Sequence, residues 1–517
     1  MSKFACIFFS LFFHIAIYSQ NTFQKSYGGS WAENSECIYE VETIKQTSDN
    51  GYAICSTTQT YAGPSNSGAY FLKLNANGDT SFVRTFYREN PTRGRSVHQT
   101  IDGGYILGVD YSSINGGLIK LDNFGNIQWS KDIIQGNLSS TYHATPLKDG
   151  GYLLSGGGWY GTLSKVDVNG NLVFGKRYKT PQNNNVVLFS SLECSNGDII
   201  SVGYYYNSYT YALVMRLDST GNIKFSKIYN ISNNVSESFK SVELSDKSIV
   251  ICGYVGYANY NRDILLIKMD SLGNTIDVKT IGDSYSQRTT NIIKDKNENL
   301  FIAGQANNLF SNDAGLLLKI SPIGNIVFSK TYLNGAMCEG IDLTSDNGIV
   351  MEGMTSYFGN GNTDRYVFKT DSNGYAGCNT IDNPLPINTI SNYSVSNLSL
   401  LNSSNQFTVQ NTTYSVSYGT QISTKCQNII GISEEKNNDY EISLFPNPNN
   451  GFLSIENKNI RERIKISIYN NLGQNVFNKT IQNGENIFDI NYLLPGIYTY
   501  TIQEDNIQKK TGKIIKQ

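Results

Sequence analysis

A short turn that begins with Asp or Asn recurs seven times between residues 49 and 350, and this regular repeat constrains the fold more than any other feature. The copies start at Asp49, Asp102, Asp149, Asn196, Asp246, Asn297 and Asp346. Successive starts are 53, 47, 47, 50, 51 and 49 residues apart. A second turn follows in step, as in Asp122-Asn123-Phe124-Gly125. A constant period of about 50 residues indicates a propeller or a solenoid.

The content of one repeat distinguishes these two architectures. Residues 96–133 hold four short stretches, at 97–101, 105–109, 117–121 and 127–131, separated by turns and loops rich in Gly and Asn. Four short strands with such turns are typical of a propeller blade, whereas a β-solenoid has a shorter repeat and no antiparallel hairpins. The repeat therefore predicts an all-β protein with a seven-bladed β-propeller.

The outermost strand of each blade predicts how the ring closes. A Phe-x-Lys-x-Tyr pattern, sometimes degenerate, follows six of the seven units and is missing after the seventh, which ends near Gly374. One spare copy runs from Phe23 to Tyr27. We expect this N-terminal segment to supply the outer strand of the last blade, because that removes an open edge. The predicted propeller spans residues 20–378.

The C-terminal residues carry an ordered set of motifs. They include Pro446, Asn447, Pro448, Gly451, Gly473, Gly496 and Tyr498, followed by a basic end. This set resembles the type A sorting domain of the type IX secretion system of Bacteroidetes. The resemblance implies a small β-sandwich over residues 439–517 that the type IX machinery recognises. It also implies passage through the outer membrane, removal of the domain, and then either attachment to the cell surface or release.

The N-terminus agrees with export. Lys3 precedes an almost entirely apolar run over residues 4–18, and Ser19 offers a small residue at a cleavage position. This is the pattern of a secretory signal, and it is too short for a membrane-spanning helix. We expect residues 1–19 to be a signal peptide that directs the chain to the Sec pathway.

Charge and motifs limit the function. A net charge of −2 with 16% charged residues gives no basic footprint for nucleic acid. The sequence has no Gly-x-Ser-x-Gly elbow, His-Glu-x-x-His helix or P-loop. We therefore predict no catalytic residue, no cofactor and no enzymatic activity. Paired carboxylates for glycoside hydrolysis meet only in the fold, so a hydrolase or lyase stays open.

Two histidines are the only hint of a metal site. His98 and His143 fall at matching places in the first strands of neighbouring blades, where that strand lines the central channel. Without a third ligand they are expected to pack rather than to bind metal. The repeated Asp-x-x-Gly turns lack the further acidic ligands of a calcium loop, so we expect them to be Asx turns.

Aromatic loops between second and third strands are the best candidates for ligand binding. Trp159, Tyr160, Tyr205 and Tyr206 form the densest group, on blades three and four. In an up-and-down blade these variable loops gather on one face, opposite the repeated turns. Tyr and Trp suit sugar stacking or protein contact. The alternative is that they are ordinary residues at strand ends.

The region between the propeller and the sorting domain, residues 379–438, is rich in Ser, Asn and Thr. We interpret it as a polar connecting segment. Cys378 and Cys426 flank most of it, and a disulfide between them would staple a region with little apolar core.

These observations favour a secreted or surface-attached binding protein whose propeller face contacts an extracellular glycan or protein, as an adhesin does. A secreted hydrolase or lyase acting on polysaccharide or peptide is the main alternative. A purely structural spacer is the third. An enzyme would need a tight acidic or His-containing cluster, and a binding protein would need an exposed aromatic surface.

Overall fold

The structure is a computed structural model of the 517-residue chain. It describes residues 20–33, 42–62, 67–111, 115–134, 139–232, 234–257, 260–308, 311–333, 337–404, 407–428, 442–445, 449, 451–457, 464–470, 474–482, 484–504 and 507–516. The expected signal at 1–19 and the motif residues Pro446, Asn447, Pro448 and Gly473 lie outside these ranges.

The described residues form strands and turns and contain no helix, which confirms the all-β prediction. Within them, no helical segment has the length and hydrophobicity that a membrane crossing requires. Contacts divide the chain into two compact units, residues 1–429 and residues 430–517.

In the described part of the first unit, seven groups of four antiparallel strands follow one another along the chain, two of them joined into one larger sheet, and we call the groups sheets 1–7 in order. Sheet 1 contains β2 (Ile44–Gln46), β3 (Tyr52–Thr58), β4 (Gly68–Leu74) and β5 (Thr80–Tyr87). Sheet 2 contains β6 (Arg93–Gln99), β7 (Tyr105–Tyr111), β8 (Asn115–Leu121) and β9 (Ile127–Ile134). Sheet 3 contains β10 (Ser139–Pro146), β11 (Tyr152–Gly158), β12 (Gly161–Val166) and β13 (Leu172–Lys179). Sheet 4 contains β14 (Val186–Glu193), β15 (Ile199–Asn207), β16 (Tyr209–Leu217) and β17 (Ile223–Ile231).

Sheets 5–7 repeat this order of strands. Sheet 5 contains β18 (Val235–Glu243), β19 (Ile249–Tyr257), β20 (Tyr260–Met269) and β21 (Thr275–Ile281). Sheet 6 contains β22 (Gln287–Lys294), β23 (Leu300–Asn308), β24 (Ser311–Ile320) and β25 (Ile326–Tyr332). Sheet 7 contains β26 (Met337–Leu343), β27 (Ile349–Thr355), β28 (Asp364–Thr370) and the N-terminal strand β1 (Thr22–Gly28).

Strand β1 takes the place that the sequence predicts for it. It pairs antiparallel with β28, with Phe23 opposite Lys369 and Tyr27 opposite Arg365. The first and last strands of the repeat region therefore lie side by side in one sheet.

Connections are uniform at one end of the sheets and variable at the other. The turns between first and second strands have five residues in all seven sheets, as do the turns between third and fourth strands in sheets 1–6. The connections between second and third strands range from one residue in sheet 4 to nine in sheet 1. We call these the turn end and the loop end.

In the repeated Asp turns, the Asp carboxylate accepts hydrogen bonds from backbone N–H groups of the same turn. Asp122 Oδ1 accepts hydrogen bonds from the backbone N–H groups of Phe124 and Asn126 at 2.9 and 2.8 Å, and Asp270 does the same in sheet 5. These are Asx turns, as expected.

Packing runs from each sheet to the next and returns to the first. In most sheets an aromatic ring of the fourth strand lies against the turn glycine of the following sheet, as Phe82 lies on Gly125 and Phe174 on Gly221, whereas Lys279 takes this place at Gly324. Phe23 of sheet 7 lies on Gly78 of sheet 1 in the same way, where a Cβ would come within 2.5 Å of the ring. These glycines have positive φ angles near +80°, which residues with a Cβ rarely adopt.

The hydrophobic cores follow the same cycle. One cluster joins sheets 4 and 5, another joins sheets 5 and 6, and a third joins Phe23 and Val367 of sheet 7 to Ile44 and Leu72 of sheet 1. The first strands of successive sheets are in contact, and β26 of sheet 7 contacts β2 of sheet 1.

The segment after sheet 7 differs from the expected polar connector. Its strands are β29 (Thr380–Asp382), β30 (Ile387–Thr389), β31 (Tyr393–Asn397), β32 (Leu401–Ser403), β33 (Thr408–Asn411), β34 (Ser415–Ser417) and β35 (Gln421–Asn428). They add a fifth, outer strand to sheets 6, 5, 4, 3, 2, 1 and 7, in that order. We call residues 380–428 the strap.

Main-chain pairing and regularly spaced apolar residues hold the strap. Its apolar residues pack against the cores of the sheets it covers, and they are Leu385, Ile387, Ile390, Tyr393, Val395, Leu398, Leu400, Phe407, Val409, Tyr414 and Val416. A bond between Cys378 and Cys426 joins its two ends at sheet 7, with Cα atoms 6.0 Å apart. The strap covers edge strands that would otherwise expose unpaired backbone groups.

The second unit has two antiparallel sheets. One contains β36 (Ile442–Phe445), β37 (Phe452–Asn457) and β40 (Gly484–Asp489). The other contains β38 (Ile464–Tyr469), β39 (Asn475–Ile481), β41 (Gly496–Glu504) and β42 (Ile507–Lys516). Leu453 and Ile455 of the first sheet share one buried core with Ile466 and Ile502 of the second.

Candidate functional site

Two of the four predicted aromatic residues are clearly exposed at the loop end. Trp159, which follows β11, is 53% exposed, and Tyr206 near the end of β15 is 47% exposed. Tyr160 is half-buried, and the guanidinium carbon of Arg177 lies 5.9 Å from the centre of its ring. Trp159 and Tyr206 can therefore contact a ligand, and Tyr160 follows Trp159 in the chain.

The expectation that Tyr205 contacts a ligand is corrected, because its ring is buried. It is 6% exposed, it stacks on Tyr211 with ring centroids 6.2 Å apart, and its hydroxyl accepts a hydrogen bond from Asn184 Nδ2 at 2.8 Å. The reason is that β15 continues to Asn207, so neighbouring tyrosines point to opposite faces of the sheet. Tyr205 is therefore a packing residue.

Other exposed aromatic residues lie at the same end. Tyr209 follows directly on the β15 hairpin and is 56% exposed, and Tyr357, in the connection after β27, is 63% exposed. Trp31 lies in the link from β1 to sheet 1 and is 63% exposed. Its backbone N–H donates a hydrogen bond to Thr60 Oγ1 at 3.1 Å. Sequence reasoning missed Trp31 because this link lies outside the repeat.

Sheets 3 and 4 present Trp159, Tyr206 and Tyr209 from one continuous surface. The backbones of Gly157 and Gly158 pair with β14, which merges these two sheets into a ten-stranded sheet. A Cβ at Gly157 would lie 2.7 Å from Val187 Cα, so only glycine permits this close approach. The three rings therefore share a stiff support.

A second candidate site is a charge cluster among the first strands of the sheets. It consists of Glu42, Lys45, His98, His143 and Lys240, which come from sheets 1, 2, 3 and 5. Glu42 Oε1 accepts hydrogen bonds from Lys45 Nζ at 2.8 Å and Lys240 Nζ at 2.6 Å. We call this group the Glu42 cluster.

The other oxygen of Glu42 faces the two imidazoles. Glu42 Oε2 lies 2.6 Å from His143 Nε2 and 3.1 Å from His98 Nε2. The contact with His143 has hydrogen-bond geometry, whereas His98 Nε2 makes no aligned hydrogen bond. All four neighbours thus converge on one carboxylate.

Burial and charge set the protonation of the Glu42 cluster. Burial alone would raise the pKa of Glu42, but Lys240 and Lys45 outweigh it and hold that pKa well below the usual range. Burial lowers the pKa of His98 and of His143, more than Glu42 raises them. A carboxylate beside neutral imidazoles is the state that follows.

The expected matching positions of the two histidines are wrong by two residues. His98 pairs with Ile106, the second residue of β7, whereas His143 pairs with Ser155, the fourth residue of β11. An offset of two keeps both side chains on corresponding faces, and their ring centroids are 6.2 Å apart. Glu42, which sequence reasoning missed, brings them together.

A second buried ionic group lies between sheets 7 and 1. Arg365 donates from Nε to Glu352 Oε1 at 2.5 Å and from Nη2 to Glu339 Oε2 at 2.6 Å. Thr43, next to Glu42 in sheet 1, donates its hydroxyl to Glu352 Oε2 at 2.5 Å. Burial raises the pKa of Glu352 to about 7, although Arg365 opposes this. The group ties the last sheet to the first.

The described sorting-motif residues support the fold of the second unit. Gly451 has φ +108°, its N–H donates to Asn449 Oδ1, and its carbonyl accepts from Ile490 N–H at 2.7 Å. Tyr498 is buried, and its hydroxyl donates to the carbonyl of Leu494 at 2.7 Å. Gly496 begins β41.

Comparison with known proteins gives a family match and a number of solved structures, of which two are described below. The family model of the secretion system C-terminal sorting domain matches residues 443–517. No curated protein matches the chain.

The two solved structures are similar only in outline. A protein of unknown function from Bacteroides caccae is 14% identical with a TM-score of 0.36, over 53% of this chain and 93% of that one. PorZ, described as an essential bacterial surface component of the type IX secretion system of Porphyromonas gingivalis, is 9% identical with a TM-score of 0.36. That match covers 94% of this chain and 60% of PorZ. Such TM-scores support no argument about this chain.

The family match and the motif residues of the second unit agree with each other. Residues 443–517 are a C-terminal sorting domain, and the chain is a protein that the type IX secretion system carries to the cell surface or into the medium.

Proposed function

We propose that the first unit is a closed seven-bladed propeller and that its loop end binds an extracellular glycan or protein, as a non-enzymatic adhesin does. Closure is supported by the contacts that return from sheet 7 to sheet 1 through Phe23, Val367 and Thr43. Each sheet is one blade, and β1 completes the last blade.

One observation carries the binding proposal, and it is the asymmetry between the two ends. Among the described residues, five strongly exposed Trp and Tyr side chains lie at the loop end, namely Trp31, Trp159, Tyr206, Tyr209 and Tyr357. The exposed large residues of the turn end are mostly aliphatic, among them Ile101, Val168, Leu272 and Ile323, and the aromatic exceptions are Phe124 and Tyr375. Variable connections with exposed rings, opposite uniform turns, are typical of a scaffold with one binding face.

The chemistry of the rings suggests the class of ligand. Indole and phenol rings offer flat apolar faces for stacking, together with polar groups that can bond to hydroxyls. They lose little conformational entropy on binding because each has only two side-chain torsions. A glycan with exposed apolar ring faces is the ligand that this surface fits best.

A glycan array with the exported protein tests the proposal, followed by titration of any ligand found. The triple substitution Trp159→Ala, Tyr206→Ala and Tyr209→Ala should weaken binding by on the order of a hundredfold, from about 1 kcal/mol per aromatic contact. Phe124→Ala, an exposed ring of the turn end, is the matched control and should bind normally. Binding that survives the triple substitution would contradict the proposed face.

The Glu42 cluster is the specific observation in favour of a hydrolase or lyase, the second candidate. It is a His-containing group within the ring of first strands, which an enzyme would need. Against catalysis, both oxygens of Glu42 already have partners, because Oε1 accepts from the two lysines and Oε2 lies 2.6 Å from His143 Nε2, and the His143 side chain is only 2% exposed. Turnover of a polysaccharide or peptide by the wild type but not by Glu42→Gln would establish this alternative.

A further inference from the structure

Three side chains of the Glu42 cluster direct one metal-ligating atom each at a common point. Glu42 Oε2, His98 Nε2 and His143 Nε2 all lie within 4.8 Å of one another. Two imidazole nitrogens and one carboxylate oxygen are a frequent ligand set for Zn²⁺ and related divalent ions. Bonds of about 2.0–2.2 Å place tetrahedral ligand atoms roughly 3.3 Å apart, so side-chain shifts on the order of 1 Å would suffice.

The surroundings orient two of these ligands from behind. Thr145 Oγ1 lies 2.9 Å from His143 Nδ1, the ring nitrogen turned away from Glu42. Lys45 and Lys240 contact Glu42 Oε1 and leave Oε2 to the imidazoles. Metal-ligating histidines and carboxylates typically have such outer partners, which fix the ring and the carboxylate.

The hydrogen bonds of Thr145 argue for a cation between the carboxylate and His143. The Thr145 hydroxyl also lies 3.1 Å from the carbonyl of Ser191, which can only accept. If its single proton goes to that carbonyl, His143 Nδ1 must donate to Thr145. In a neutral ring this leaves an unprotonated Nε2 facing Glu42 Oε2 at 2.6 Å. Two lone pairs then face each other at this distance, and a cation bound between His143 Nε2 and Glu42 Oε2 removes their repulsion.

We propose that Glu42, His98 and His143 bind one divalent cation of the zinc class, which cross-links the first strands of sheets 1, 2 and 3. The lysines are the main electrostatic cost, since they place positive charge on the far side of the carboxylate.

The small number of histidines allows a metal-binding signal to be assigned to this cluster. The sequence has three histidines, and His14 falls in the expected signal, so the mature protein keeps only His98 and His143. Any imidazole signal from a bound metal then reports on this cluster alone. The four cysteines of the described residues that lie outside the disulfide, Cys55, Cys194, Cys252 and Cys338, are all buried.

The experiment is titration of the chelator-treated, exported protein with Co²⁺, read by its visible d–d absorption and by calorimetry, with Zn²⁺ as competitor. We expect one equivalent to bind and Zn²⁺ to displace it. His98→Ala and His143→Gln should each lower the affinity at least tenfold. The Gln variant keeps a donor toward Glu42 and so preserves the fold. Glu237→Gln, a buried carboxyl of sheet 5 outside the cluster, is the matched control and should bind normally.

Two results would overturn the proposal. One is the absence of stoichiometric Co²⁺ and Zn²⁺ binding by the folded wild type, which would assign the charge between Glu42 and His143 to a proton on His143. The other is binding that persists in both histidine variants, which would place the metal elsewhere. Circular dichroism on each variant shows that a loss of binding occurs in folded protein.

Discussion

At the scale of the residue, strand geometry decides which aromatic rings face solvent. The sequence predicts a Tyr-rich group near the β15 hairpin, but it does not mark where the strand ends. Because side chains alternate along a strand, Tyr206 is exposed while Tyr205 packs against Tyr211. The composition of the site was therefore predictable, and the orientation of each ring was not.

Glu42 shows why the charge cluster was beyond sequence reasoning. Its partners His98, His143 and Lys240 are 56, 101 and 198 residues away along the chain. They meet only because the first strands of successive sheets converge. Glu42 also precedes the short strand β2, with a left-handed φ of 63°, so no strand pattern indicates where its side chain points.

A buried carboxyl pair gives a prediction about pH. Asp364 and Glu33 are almost fully buried together, and burial, reinforced by Glu33, raises the pKa of Asp364 from 3.8 to about 7. The folded state therefore holds a proton that the unfolded state releases above about pH 4. The stability contributed by this proton is full below pH 4 and is lost as the pH rises to about 7.

Asp364→Asn should remove this dependence. The amide oxygen can still accept from Asn360 N–H, as Asp364 Oδ2 does at 2.6 Å, and the amide N–H can donate to Glu33. We expect the variant to melt above the wild type at pH 8 and at nearly the same temperature at pH 4. An equal difference at both pH values would show that the carboxyl pair does not share a proton.

At the scale of the element, the four strands of each sheet were predictable and the fifth was not. Repeated turns and apolar stretches mark β2–β28, and the spare Phe-x-Lys-x-Tyr copy marks β1. Strap strands pair mainly through backbone groups, which any sequence provides, and most of their outward side chains are polar. Pairs of apolar residues two positions apart, such as Phe407 with Val409 and Tyr414 with Val416, were the signal that the sequence offered.

The bond between Cys378 and Cys426 makes the strap a covalently closed loop, and this gives a prediction about stability. The double substitution Cys378→Ser and Cys426→Ser should lower the free energy of unfolding by about 2–4 kcal/mol, because the unfolded chain gains loop entropy. Thermal melting with and without reductant measures this. Reductant should lower the melting temperature of the wild type and leave the variant unchanged.

A peptide map under non-reducing conditions provides the control. Exported wild-type protein should yield a peptide in which Cys378 is linked to Cys426, while the buried Cys55 and Cys252 stay reduced. If both strap cysteines are free thiols in the exported protein, the closed loop does not form.

At the scale of the whole molecule, the two units have different tasks. The sorting motifs resemble a known domain closely enough that the sequence alone predicted export, and the family match confirms it. The ligand proposed for the first unit could not be identified from the sequence, because a fold does not fix a function and the residues of its connections decide what it binds.

Removal of the sorting domain tests this division. Deleting residues 441–517 should leave the protein in the periplasm, since the expected signal still directs it across the inner membrane but the type IX address is gone. Cell fractionation with an antibody against the first unit measures the distribution. Equal amounts of full-length and truncated protein at the surface or in the medium would contradict this account.

Closure of the ring is the central claim, because the loop end is one surface only if sheet 7 meets sheet 1. A repeated contact allows a direct test. The backbone N–H of Ser48 donates to Gln99 between sheets 1 and 2 at 2.8 Å, and that of Ser345 donates to Gln46 between sheets 7 and 1 at 2.8 Å.

The decisive measurement is cross-linking of cysteine pairs with a short bismaleimide, read by mass spectrometry of the exported protein. The pair Ser345→Cys with Gln46→Cys should form an intramolecular link as efficiently as the reference pair Ser48→Cys with Gln99→Cys, and single-cysteine variants should form none. If the reference pair links and the Ser345–Gln46 pair does not, the sheets form an open array and the proposed ring is wrong.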